Sequence, residues 1–95
     1  MILGRVVGTV VSTRKNDSIQ GAKYLLVERC DQRTRPVKDY IVALDPLDAG
    51  PDEIVILSQG SSARQMEVSD KKPIDAVIVG IVDLIDELGK VVYRK

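Results

Sequence analysis

Histidine, phenylalanine and tryptophan are absent from this 95-residue chain, cysteine occurs once, and aromatic residues make up 3%, all of them tyrosine. Without His there is no Ser-His or Cys-His nucleophile pair, no imidazole general base and no imidazole ligand for a transition metal. The single Cys30 cannot close an intrachain disulfide,. Charge of one sign is also missing, because 14 Lys and Arg balance 14 Asp and Glu. A net charge of zero gives no electrostatic footprint for a nucleic acid. The uncharged stretches Val6 to Thr13 and Ala76 to Val82 fall short of the roughly 20 apolar residues that a membrane-spanning helix needs. No basic start followed by an apolar run and a cleavage site opens the chain, so a cytoplasmic location is expected.

What the chain has is Val, Ile, Leu and Ala, within a hydrophobic content of 44%. They suffice for one small domain over residues 1–95. A chain of this size buries only roughly 60 to 70% of its unfolded surface, so self-association is expected to supply the missing stability.

The opening MILGRVVGTVVST is rich in β-branched residues, which fit a pleated surface better than a helix. Its apolar residues fall on both alternating faces, Val6 and Val10 on one and Leu3, Val7 and Val11 on the other, which predicts burial on both sides. Gly4 and Gly8, four apart, are expected on one face at a bend or close backbone approach. KYLLVERC (23–30), YIVAL (40–44) and EIVIL (53–57) read as further strands. Between the second and third lies a loop with Arg29, Arg33, Arg35 and Lys38 among Asp31 and Asp39, where Pro36 argues against a central strand. The segment PIDAVIVGIVDLIDELGKVVYRK is ambiguous. Pro73, Asp75 and the spacing of Ile74, Val77, Ile78 and Ile81 suit a short helix near 74–79. A strand through 79–85 and a last strand in KVVYR after a turn at Gly89 would follow. The architecture predicted is all-β: a small closed five-stranded barrel of the OB-like kind with one short helix.

Little chemistry survives in this inventory. Cys30 ends an apolar strand and reads as a small core residue rather than a reactive thiol. Asp83, Asp86 and Glu87 fit no calcium-loop spacing and read as the solvated end of an element. GSSAR (60–64) offers hydroxyls and a guanidinium but lacks the spacing of a nucleotide loop, and reads as a turn into one serine-capped helical turn. An enzyme using Cys30 or Ser61 is the weakest reading. An OB-like barrel raises nucleic-acid binding as an alternative, yet stacking platforms and a positive groove are missing. Tyr24, Tyr40 and Tyr93 read as core or interface residues.

In order, MILGRVVGTVVSTRK, GAKYLLVE, YIVALD, AGPDEIVIL, QGSSAR and PIDAVIVGIVD resemble the bacterial microcompartment vertex proteins, the EutN/CcmL family, from Met1 to about Leu84. The resemblance implies a non-enzymatic shell protein without cofactor or metal. It implies a homopentamer at the five-fold vertices of a carboxysome-like or metabolosome shell otherwise tiled by hexameric shell proteins, with neither nucleic acid nor membrane as partner. By the same resemblance Gly60, Ser61, Ser62, Ala63 and Arg64 form a loop near the five-fold axis. They would either ring a narrow polar opening or make a capped turn in which Arg64 pairs with a neighbour's carboxylate. Gly4, Gly8, Asp75, Ala76, Val79 and Asp83 are the candidate subunit-interface residues. Relatives carry a stretch such as GAGVGE where this chain has DAGPDE (48–53), in which Pro51 stiffens the turn and Asp48 and Asp52 add charge.

Overall fold

The computed structural model describes residues 1–11, 23–59 and 76–95. Most of them lie in seven strands: β1 (Ile2–Val10), β2 (Tyr24–Cys30), β3 (Pro36–Leu44), β4 (Ile54–Gln59), β5 (Ala76–Ile81), β6 (Leu84–Glu87) and β7 (Lys90–Arg94). Five close a barrel in the order β1-β2-β3-β5-β4, and β6 and β7 form a separate two-stranded sheet. Every pairing is antiparallel except that of β3 with β5, where Leu44 lies opposite Val77 in parallel. This is the closed all-β barrel of the OB-like kind that the strand pattern predicts.

The short helix expected near 74–79 is corrected over its described part, because Ala76 to Val79 belong to β5. Ala76, Val77 and Ile78 are all buried, so neither side of the segment is a wet helical face. Pairing with β4 decides the outcome: Leu57 faces Ile78, Ser58 faces Val77 and Gln59 faces Ala76. The β-branched run follows its strand preference over its helical spacing. Pro73, Ile74 and Asp75, and the turn expected after Gly60, lie outside the described residues. The strand expected through 79–85 is split, since β5 stops at Ile81 and β6 starts at Leu84. β3 begins earlier than expected, at Pro36, which sits opposite Cys30 as the first residue of its strand, a position where a missing N–H is tolerated.

The barrel interior is filled by Val6, Leu25, Val27, Ala43, Val55, Leu57, Ala76 and Ile78, with Ile2, Ile41 and Ile81 packed against them. Leu44, Ile54 and Val77, sequence neighbours of these inward residues, are also buried. Burial on both sides is therefore found on β4, on β5 and at the last two residues of β3. On β1 it is not, since Val7 is 42% exposed and Val11 94%.

The reason lies in the register of β1. Val6 pairs with Val27 and Gly8 with Leu26, so Val7 is an extra residue at a bulge. An extra residue reverses which face the following side chains take. Gly4 and Gly8, expected on one face, consequently sit on opposite ones. Gly4 is buried and faces the interior, where an added Cβ would lie 2.4 Å from Val27 Cγ1 and 3.1 Å from the Glu28 carbonyl oxygen. Gly8 lies opposite the outward Leu26, and a Cβ there would meet nothing nearer than 3.7 Å. The close approach at Gly4 is thus internal to the subunit. Gly4→Ala is expected to destabilise the fold by about 1 to 3 kcal/mol through overpacking, and Gly8→Ala by much less. Urea unfolding midpoints of the two variants check the difference, and equal midpoints would contradict the assigned faces.

Candidate assembly site

Of the described residues that sequence reading considers for chemistry, Glu87 is held in structural contacts and Cys30 is partly buried. Cys30 is half-buried, and burial pushes its thiol pKa up, away from the thiolate form that reactivity requires. Among the described residues no group of three potential metal ligands comes together. No helix among them is long and apolar enough to cross a membrane.

The basic cluster around the β2–β3 loop is tied off by carboxylates. Asp31 Oδ1 accepts from the amides of Arg33 and Arg35, both at 2.9 Å, while Arg35 Nε donates to Asp31 Oδ2 at 2.8 Å. These contacts, the Arg35 amide foremost, hold the Asp31 carboxyl below its ordinary pKa. Arg29 pairs with Asp39 at 2.9 Å. Arg33 donates from Nε at 3.1 Å and from NH2 at 2.8 Å to Glu87 Oε1, and Gln32 donates to Glu87 Oε2. Glu87, one of the three acidic residues near the chain end, is therefore the tether between the β2–β3 loop and the β6–β7 hairpin. Its carboxyl is held below the usual range, first by the Gln32 contact and then by Arg33. At the hairpin's base Lys95 Nζ pairs with Glu53 at 2.6 Å, and the Lys95 amide donates to the Asp83 carbonyl at 2.9 Å.

Residues 45–53 fold over the β1 bulge. Asp45 is buried, and its two oxygens accept from the Leu47 amide (3.0 Å) and the Ala49 amide (2.8 Å). Lys23 Nζ lies 3.6 Å from Asp45 and 2.9 Å from Asp48, and the Asp48 contact raises the ammonium pKa. The Val6 amide donates to Glu53, the Asp52 amide to Val6, and Arg5 NH1 to the Asp52 carbonyl. Asp48 and Asp52 both adopt left-handed backbone, with φ 60 and 66. These are the two positions where Asp stands in place of a Gly of GAGVGE, and Asp tolerates that region better than most residues. Between loop and bulge opens a cleft of about 150 Å³, lined mainly by Val6, Val7, Gly8, Leu25, Ala49 and Pro51, with Lys23 beside them.

The hairpin carries a feature that sequence reading missed. Glu87 pairs with Lys90, so Leu88 and Gly89 form a two-residue turn, with φ 54 and 82. A turn with both central residues at positive φ favours Asn-Gly or Asp-Gly. A leucine there costs roughly 1 to 2 kcal/mol in backbone strain, and it is fully exposed. Leu84 and Val91 add partly exposed apolar surface along the hairpin. The signal was present as the string ELGK, a tight-turn spacing with the wrong residue at its first position.

The sequence-predicted interface residues do not converge. Gly4 and Ala76 are in the core, Gly8 lies on the outer face at the cleft, Val79 is half-buried at a bulge in β5, and Asp83 is exposed at the base of the hairpin. Asp75 and the loop Gly60, Ser61, Ser62, Ala63 and Arg64 lie outside the described residues. Of the tyrosines, Tyr40 is 57% exposed on the outer face of β3, near the exposed Val42, while Tyr24 and Tyr93 are half-buried.

A small closed barrel whose loops are tied by their own carboxylates, and which displays apolar surface on β1, β3 and the β6–β7 hairpin, has the make-up of a protein-assembly module. The chain belongs to the EutN/CcmL family, whose model, described as ethanolamine utilisation protein EutN/carboxysome, matches residues 1–83. It is 45% identical to a carboxysome shell vertex protein, CcmL, of Gloeobacter violaceus, over 100% of this chain and 95% of that protein. It is 50% identical to a bacterial microcompartment shell vertex protein, GrpN, of Rhodospirillum rubrum, over 94% of this chain and 100% of that protein. The solved structure of the Gloeobacter CcmL superposes with a TM-score of 0.93 over 100% of this chain and 98% of that one. A structure titled as the GrpN pentameric microcompartment shell protein superposes with a TM-score of 0.83 at 48% identity, over 93% and 100% of the two chains. The chain is thus a structural protein and not an enzyme.

Two outcomes follow from these contacts. Asp45→Ala leaves two loop amides without their acceptor and is expected to cost about 1 to 3 kcal/mol, read as a lowered thermal midpoint. For Glu87 the folded pKa is depressed, so its contribution is fully present above the ordinary value of 4.5 and is lost as pH falls through the lower folded value,. Amide hydrogen exchange in the hairpin is expected to be flat above pH 5, after correction for intrinsic rates, and to lose protection at lower pH. Glu87→Gln should remove that acid transition, and its persistence would contradict the tether.

Proposed function

We propose that five copies of this chain close into a ring that caps the five-fold vertices of a bacterial microcompartment shell in the cytoplasm. The observation that carries this reading is the match, at nearly full length on both sides, to shell vertex proteins, one of them solved as a pentameric shell protein. The physical chemistry agrees with it. A shell of flat hexagonal tiles closes only where five-fold units interrupt the lattice, and such a unit needs shape and cohesion rather than reactive groups. The neighbours at the rim would be hexameric shell proteins. The loop Gly60 to Arg64 would approach the five-fold axis, with small residues that let five backbones converge and Arg64 available to a neighbour's carboxylate.

The nucleic-acid alternative is disfavoured by the pairing of Arg29, Arg33 and Arg35 with carboxylates, which leaves little unpaired positive surface around the β2–β3 loop for phosphates. Native mass spectrometry is expected to give a pentamer across a wide concentration range, and a monodisperse monomer or dimer would defeat the reading. Single-stranded oligonucleotide at low salt should show no binding of the steeply salt-dependent kind.

A further inference from the structure

Leu88 is an apolar side chain placed where folding alone disfavours it twice, in left-handed backbone and in full contact with solvent. Neither condition is required by the turn, which Asn or Gly would make without strain. The same chain carries an apolar cleft of about 150 Å³ at the β1 bulge, a size at which apolar cavities accept a group as large as benzene. Knob and cleft cannot meet within one subunit. Glu87 is held by Gln32 and Arg33 beyond the end of β2, where Arg29 pairs with Gly4. The cleft lies further along β1 and β2, around Val7, Lys23 and Leu25. A knob and a separate hole on one subunit make a head-to-tail contact, the kind that closes into a ring when the rotation permits.

We propose that the β6–β7 hairpin is an assembly arm: Leu88 of one subunit seats in the neighbouring copy's cleft between Val7, Gly8, Leu25, Ala49 and Pro51. The inference rests on the pentamer reading above and assigns that ring one of its contacts. Val7, left exposed by the bulge, then becomes a wall of an occupied pocket, and the strain at Leu88 is offset in the ring rather than in the subunit.

Two measurements test it. Leu88→Asn keeps a residue that accepts positive φ, so the barrel should unfold at an unchanged or higher midpoint while the concentration needed for ring formation rises tenfold or more. Leu88→Cys combined with Val7→Cys, in a Cys30→Ser background and oxidised with oxidised glutathione, should give a non-reducing gel ladder extending to a covalent pentamer. A pentamer unaffected by Leu88→Asn and without cross-links would overturn the arm while leaving the pentamer reading intact. Bands that stop at a doubly linked dimer would replace the ring by a reciprocal contact and overturn it as well. An unmodified chain that never forms pentamers would defeat the underlying reading instead.

Discussion

The extra residue at Val7 sets the phase of β1, and the rest of the barrel depends on it. Before the bulge, Gly4 and Val6 face inward, and the lack of a side chain at Gly4 lets Val27 and Leu57 approach across β2 and β4. After it, Gly8 faces outward opposite Leu26. Without that change of phase Gly8, rather than Thr9, would lie opposite the inward Leu25. The bulge also bends the strand toward residues 45–53, whose amide and carbonyl at Asp52 and Glu53 pair with Val6. Closure of the barrel, position of the loop and opening of the cleft are thus one geometric decision.

Charge is spent locally in this neutral chain. Asp31 organises the β2–β3 loop, Asp45 organises the β3–β4 loop, and Glu87 joins the hairpin to the barrel. The surface pairs among these contribute little individually to stability. Asp45 differs because its carboxylate is buried against two amides and so fixes a loop conformation. Asp48 and Asp52 then sit in backbone that favours Gly, and Asp48 gives Lys23 a partner. The departure from the relatives' pattern is thereby accounted for conformationally, without assigning that loop a new role.

Strand content and barrel class were legible because β-branched residues and short turn intervals act locally. The ordered strings from MILGRVVG to PIDAVIVG carried the family for the same reason: each string is a local constraint on one strand or turn. What was not legible depends on distant partners. Period-two counting along β1 has no means of registering a bulge, which exists only relative to β2. The helix near 74–79 failed since the i, i+3, i+4 spacing of a β-branched run cannot show that β4 offers a free edge. Of the interface candidates, Gly4 and Ala76 lie inside the barrel, a placement set by pairing with β2 and β4 that neither residue type reveals. Leu88 was overlooked because an exposed leucine attracts notice only when its backbone angle is known.

The distribution of exposed apolar residues argues further about assembly. Val37, Tyr40 and Val42 lie along β3, Val7 lies at the β1 bulge, and Leu84, Leu88 and Val91 lie on the hairpin. A two-fold dimer would cover one self-complementary patch and leave the others open. Cyclic assembly uses two unlike surfaces per subunit, and a unit set into a larger lattice needs a third toward its different neighbours. Exposed apolar residues on β1, β3 and the hairpin suit that requirement. The requirement also explains why β1, β3 and the hairpin remain incompletely buried in a chain whose core is otherwise closed.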